Sequence, residues 1–295
     1  MPSQLGLVCI THSQDVRYRT ITRTRLLQND EAQQQALLDA LYRDNLARLD
    51  TALTYCAARN IALYRMPSSL FPFYDTPVGR QAMTALADQV GLTGARATEL
   101  NIRLVMHPDQ FVVLNSDSET VVANSIGILQ MHADIMDLLR QPRSPWALIE
   151  IHGGKSARSQ QLVEAIARLP DPIRLRLGLE NDEYAYSGDE IHAICMAAGV
   201  PMVFDAHHHI VHEGLPDYEH PDVAAMLAKA RATWPDPSLQ LVHISNGRAA
   251  FNDRGHADLI DVMPSSFERA PWIEVEAKFK EDAIEKLRQA SAAYA

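Results

Sequence analysis

The segment Ile173-Arg174-Leu175-Arg176-Leu177-Gly178-Leu179-Glu180-Asn181-Asp182-Glu183 carries the clearest sign of the architecture. Its first part alternates apolar residues with others and reads as a buried strand. The strand then stops on a glutamate, and a buried carboxylate is too costly to leave without a cation or a metal. Five other strand-like runs stop the same way. Val105-Met106 runs into His107, Ile149-Glu150-Ile151 into His152, and Met202-Val203-Phe204 into Asp205. Leu241-Val242 runs into His243 and Ile273-Glu274-Val275 into Glu276. Side chains of metal-binding type at six strand ends describe one convergent site.

Working outward, strand-like segments recur at 5–10, 59–66, 101–106, 146–152, 173–180, 201–206, 239–244 and 271–277. Helical spacing fills the intervals at 31–58, 78–97, 119–141, 158–169, 187–198, 221–233 and 279–293, with Ser118, Ser156 and Ser187 placed to cap three of these helices. The interval 245–270 lacks a clear helix. Strand and helix alternate through eight units in 295 residues, and no Gly- or Pro-rich linker divides them. This predicts a parallel sheet closed as a single (β/α)8 TIM barrel over residues 1–295. An open doubly wound sheet is the other arrangement, but the glycine-rich loop expected after its first strand is missing. In a barrel the C-terminal strand ends carry the active site, and all six ligand-type residues fall there.

Residues two apart on a strand share a face. Arg103 therefore aligns with His107, Glu150 with His152, Arg176 with Glu180, and Glu274 with Glu276. We expect these charges to form a self-neutralising layer beneath the ligands.

The composition excludes several classes. The chain is 47% hydrophobic with no run long enough to span a membrane, and its N-terminus lacks the pattern of a signal peptide. Cys9, Cys56 and Cys195 read as reduced packing residues of a cytoplasmic protein. A net charge of −10 argues against nonspecific nucleic-acid binding. Yet Arg17, Arg19, Arg23 and Arg25 fall within nine residues that contain no acid.

His107, His152, Glu180, Asp205, His243 and Glu276 exceed the needs of one tetrahedral ion and include no thiolate. At least two metals are expected, with Glu180 as the bridge; manganese, zinc and iron all suit the set. In Asp205-Ala206-His207-His208-His209, His208 can reach a third ion, with His256 as its partner. His207 and His209 are candidates for supporting or substrate contacts, as is His12. His132 and His192 fall in helices, and His212 and His220 in a loop, with ordinary packing or surface roles.

Met106-His107-Pro108-Asp109-Gln110-Phe111, Leu179-Glu180-Asn181-Asp182-Glu183, Asp205-Ala206-His207-His208-His209 and Val275-Glu276-Ala277-Lys278, together with Arg19-Thr20 through Leu26, resemble the UV damage endonucleases. That family is similar in architecture to the abasic-site nucleases of the endonuclease IV type. The resemblance covers nearly the whole chain. It implies an enzyme that nicks duplex DNA immediately 5′ to UV photoproducts, leaving a 3′-hydroxyl and a 5′-phosphate. It also implies two to three divalent ions, manganese first and zinc second. The six strand-end residues would hold two ions, and His208 and His256 would help hold a third. Gln110 and Phe111 match the pair that enters the duplex at the lesion. Glu180, His243, Glu276 and Lys278 form the expected catalytic set, Lys278 as a phosphate contact. Arg17, Arg19, Arg23, Arg25, Arg248 and Arg254 are the expected contacts to the DNA backbone. The partner would be UV-damaged double-stranded DNA, met by a monomer in the cytoplasm or, in a bacterium, on the nucleoid.

The chain departs from the family pattern twice. Some members carry histidine where Ser69 stands, and lysine where Leu241 stands. Two alternatives remain open here: an abasic-site endonuclease without photoproduct preference, and a metal-dependent sugar isomerase or epimerase on the same barrel.

Overall fold

The computed structural model describes residues 3–108 and 111–293. Its strands are β1 (Gln4–Val8), β2 (Leu63–Met66), β3 (Arg103–Met106), β4 (Ile149–His152), β5 (Leu177–Glu180), β6 (Met202–Asp205), β7 (Leu241–Ile244) and β8 (Trp272–Val275). They pair in parallel, in chain order, and β8 returns to β1 through Leu5↔Ile273 to close a barrel. All eight expected strands are present, each shorter than its apolar run.

The helices are α1 (Arg23–Leu27), α2 (Glu31–Ala58), α3 (Pro77–Thr84), α4 (Ala87–Glu99), α5 (Glu119–Leu138), α6 (Ser159–Ala167), α7 (Asp171–Arg174), α8 (Gly188–Ala198), α9 (Ala206–Glu213), α10 (Pro221–Ala232) and α11 (Lys280–Ala293). Local signals set several boundaries. Asp30 and Gln33 close a capping box at the start of α2, and Ser187 and Glu190 do so for α8. Ser118 caps α5 through the Val121 amide. Ser156 does not cap α6: Ala157 takes a positive φ, and the helix starts from Arg158 with no side-chain cap. The helix expected over 78–97 is two, α3 and α4, and nothing in the local composition marks the break. The interval 245–270 holds a short 3-10 turn at Ser265–Arg269 and an isolated antiparallel bridge between Gly247 and His256.

Alternation along the strands sorts side chains into two environments. Outward residues such as Leu104, Ile149, Ile151, Leu179, Phe204 and Ile273 pack against the helices in the main core. Inward residues Leu63, Val105, Leu148, Val203 and Leu241 meet Trp234 in a separate apolar plug within the barrel. This plug explains Leu241: it fills a dry layer and has no group to offer a metal.

The expected charged layer is present in part. Arg103, Glu150, Arg176 and Glu274 are all fully buried. Glu150 and Glu274 face inward beneath the strand-end ligands. Arg103 sits nearer the barrel floor, donating to the carbonyls of Pro145, Trp146 and Leu239 within a cage of Trp146, Trp234 and Trp272. Burial pushes its pKa down to about 10.

Arg176 corrects the expectation. It precedes β5, where α7 turns the chain, and its side chain points outward. There it donates to the carbonyls of Ala133, Gln141, Pro142 and Pro172 and pairs with Asp137 at 2.7 Å.

Candidate metal centre

A cavity of about 520 Å³ opens at the C-terminal mouth of the barrel. His107, His152, Glu180, His208, His256 and Glu276 line it, each on a strand end or the loop or helix that follows. Asp205 and His243 lie just beneath, fully buried.

Glu180 is the hub. Its Oε2 accepts from His107 Nε2 at 2.8 Å, and its Oε1 from His243 Nδ1 at 3.0 Å. His208 Nδ1 stands 3.3 Å from Oε1 and His152 Nε2 3.7 Å from Oε2. Burial alone would raise this carboxyl's pKa, but the surrounding imidazoles, His243 foremost, hold it well below the usual carboxylate range.

Other contacts fix which nitrogen each ring presents. His107 Nδ1 lies 2.9 Å from the Pro108 carbonyl, leaving Nε2 for the site. His208 Nδ1 lies 2.9 Å from the Asn181 carbonyl, so its Nε2 is turned away from that contact. His243 Nε2 lies 2.7 Å from Glu150, which leaves Nδ1 facing Glu180. Such outer partners orient metal-binding imidazoles.

Asp205 serves two purposes. Its Oδ1 caps α9 by accepting from the His208 amide at 2.8 Å. Its Oδ2 is buried without a hydrogen-bond partner, as is His152 Nδ1. Three groups keep their ligand atoms within 4.8 Å of one another: His107–His152–Glu180, Glu180–Asp205–His208 and Asp205–His243–Glu276. Overlap at Glu180 and Asp205 makes this donor set fit a cluster of divalent ions. A fourth such group, Glu150–His243–Glu274, lies deeper.

Sequence reasoning missed Arg65. Its guanidinium lies 2.7 Å from Glu274 and 2.5 Å from Glu276. Burial opposes its charge, and Glu274 and Glu276 outweigh that, so it stays cationic. The same glutamates are held ionised against burial, chiefly by Arg65. Asn181 was also missed: it exchanges hydrogen bonds with the Asp205 backbone and ties the end of β5 to β6.

Other expected residues fall elsewhere. His256 lines the cavity, 3.7 Å from Glu276, but outside the tight groups. Lys278 pairs with Asp258 at 3.8 Å and does not line the cavity. Phe111 lines it and is 72% exposed; Gln110 lies outside the described residues.

Arg17, Arg19, Arg23 and Arg25 follow β1, and Arg248 and Arg254 follow β7, so all six stand at the end of the barrel that carries the candidate ligands. Arg17 bonds Gln14, Arg19 pairs with Asp44, and Arg248 stands 3.9 Å from Asp253.

His207 is buried and held by Tyr218 and the Asp253 carbonyl, and His209 packs edge-on to Phe204 in the core. Neither reaches the cavity. His12 stacks on Phe279 and bonds Asp282, outside the cavity. His212 is in α9, not a loop: three consecutive histidines hid the helix, and the Asp205 cap starts it. Cys9 lines the cavity instead of simply packing in the core.

Comparison with known proteins agrees with this geometry. A family model described as UV-endonuclease UvdE matches residues 3–294. A UV DNA damage endonuclease of Nostoc sp. is 55% identical over 287 residues, 97% of this chain and 89% of the relative. One of Deinococcus radiodurans is 50% identical over 288 residues, 97% of this chain and 94% of the relative. The crystal structure of SacUVDE superposes with a TM-score of 0.82 at 26% identity, covering 98% of this chain and 99% of that one. A barrel with imidazoles and carboxylates gathered at its mouth, matched end to end by these relatives, belongs to the UV-endonuclease UvdE family.

Proposed function

We propose that this protein is a metal-dependent endonuclease of DNA repair that nicks duplex DNA immediately 5′ to UV photoproducts. The observation that carries the reading is the Glu180 carboxylate, ringed by four imidazoles in a cavity whose rim holds Phe111 and the arginine-bearing loops. His107, His152, Glu180, Asp205, His243 and Glu276 would hold two divalent ions, and His208 and His256 would help hold a third. Manganese is the metal we expect.

When bound, such ions activate water for attack and stabilise the attacking and leaving oxygens of a phosphodiester. The chain's own residues do the positioning. Glu150 fixes the ring of His243, and Asn181 fixes Asp205. Arg65 offsets the charge of Glu274 beneath the site and of Glu276 within it, keeping both ionised. Phe111 offers a ring that can fill a gap in the base stack, and Gln110, its neighbour in sequence, is the residue we expect to meet exposed base edges. The arginines after β1 and β7 hold the DNA backbone across the cavity.

The test is the position and chemistry of the cut in an end-labelled duplex with one pyrimidine dimer. The reading expects a nick directly 5′ to the dimer whose 3′ end a polymerase extends. Cutting confined to an abasic duplex would place the enzyme among nucleases without photoproduct preference.

A further inference from the structure

The segment Leu179-Glu180-Asn181-Asp182-Glu183 ends in a carboxylate to which the proposed reaction gives no task. The polar residues before it all have one. Glu180 is the hub, Asn181 ties β5 to β6, and the buried Asp182 carboxylate builds the turn that follows.

That turn fixes Glu183 from both sides. Asp182 Oδ1 accepts from the amides of Tyr184 and Ala185, and the Asp182 amide donates to the Tyr186 carbonyl at 3.2 Å. His212 Nδ1 lies 3.0 Å from the Asp182 carbonyl. The Glu183 side chain takes no part in this network: among the described residues its carboxylate accepts no hydrogen bond. It lines the cavity at the barrel mouth instead.

A carboxylate only 18% exposed needs a compensating charge. What Glu183 faces is Nε2 of His208, the nitrogen that the Asn181 carbonyl leaves open. Glu183 Oε1 stands 3.8 Å from it. That gap is too long for a hydrogen bond. It suits two ligand atoms on one ion, each about 2.0–2.2 Å from the metal.

Donor chemistry points the same way. His208 and His256 offer neutral nitrogens, whereas manganese favours oxygen ligands. Among the described residues, the acids lining the cavity are Glu180, Glu183 and Glu276. Glu180 is shared by four imidazoles, and Glu276 pairs with Arg65. Glu183 is left to serve an ion on His208.

We infer that Glu183 is a ligand of the ion held by His208, giving an oxygen to a site where the imidazoles bring only nitrogen. This rests on the metal-dependent reading above.

The test uses protein stripped with chelator. Manganese is titrated into wild type, Glu183→Gln, His208→Ala and the double variant, and the free ion is counted by its electron paramagnetic resonance signal. The expected result for Glu183→Gln is one ion bound at least about tenfold more weakly, since even an outer contact to a metal ligand is worth about 10–100-fold. The remaining ions should stay within about twofold of wild type. The double variant should bind as many ions as His208→Ala alone, because both changes act on one ion. Unchanged binding in Glu183→Gln overturns the inference. So does equal weakening of every ion, which would make the carboxylate a source of general field. So does a further ion lost in the double variant, which would put Glu183 on a different ion. A wild type that binds no manganese removes the metal-dependent reading, and this inference falls with it.

Discussion

At the scale of single residues, the centre is built from side chains committed on one side and open on the other. Asp205 gives one oxygen to a helix and keeps the other bare; His107, His208 and His243 each have one nitrogen set by a neighbour. Glu180→Gln keeps the shape and removes the charge that we propose bridges two ions. We expect bound metal to fall by at least one ion per chain, measured by elemental analysis, and incision to drop by roughly 100-fold or more. Arg65→Met leaves Glu274 and Glu276 without their cation. The metal-free protein should lose about 3–5 kcal/mol of stability in urea titration. Bound metal should restore part of it by supplying positive charge.

The ligands themselves were legible, because a histidine or acid at the end of an apolar run conflicts with burial unless something compensates it. Arg65 was not legible. It lies within a strand, and its glutamates are more than two hundred positions away. The three meet only when β2 and β8 flank β1 on its two sides, with Gly6 facing Leu63 and Glu274 in the register.

At the scale of elements, Arg176 links β5 to the outer helices. Its guanidinium satisfies four carbonyls and one carboxylate, and Asp137 of α5 is the anion. Burial pushes the Asp137 carboxyl up, but Arg143 and Arg176 together hold it below the ordinary range. A carboxyl depressed in the folded state adds stability above its unfolded pKa, about 4, and loses it as pH falls through the folded value. Wild-type stability should therefore fall below about pH 4 more steeply than that of Asp137→Asn. At neutral pH the variant should be about 1–2 kcal/mol less stable, discounted for the solvent contact of Asp137. Urea midpoints across pH check both.

The outward turn of Arg176 escaped sequence reasoning because alternation was extended one residue before the strand begins. α9 escaped it because Ala206–Glu213 is short and carries a run of histidines instead of an apolar stripe. Its Asp205 cap is also a site residue, so one side chain carried two signals.

At the scale of the whole molecule, a chain of net charge −10 presents arginines at one end. Acids inside the barrel mouth belong to the candidate metal centre, whereas Arg19, Arg23 and Arg25 are exposed on the loop and helix after β1. Replacing Arg23 and Arg25 together with Ala should lower the slope of log binding constant against log salt by about 2. Incision at saturating DNA should survive. An unchanged slope would remove this surface from the account.

The barrel was legible at this scale because strand and helix alternate eight times without a linker, and ligand-type residues gather at only one end of the strands.

The most direct test of the central claim is incision of a duplex bearing one pyrimidine dimer by protein stripped with chelator and then reloaded with manganese. We expect no cutting after stripping and a nick 5′ to the dimer after reloading, with Glu180→Gln nearly inactive in both states. Undiminished cutting by the stripped protein, or none by protein verified to hold its metal, would contradict it.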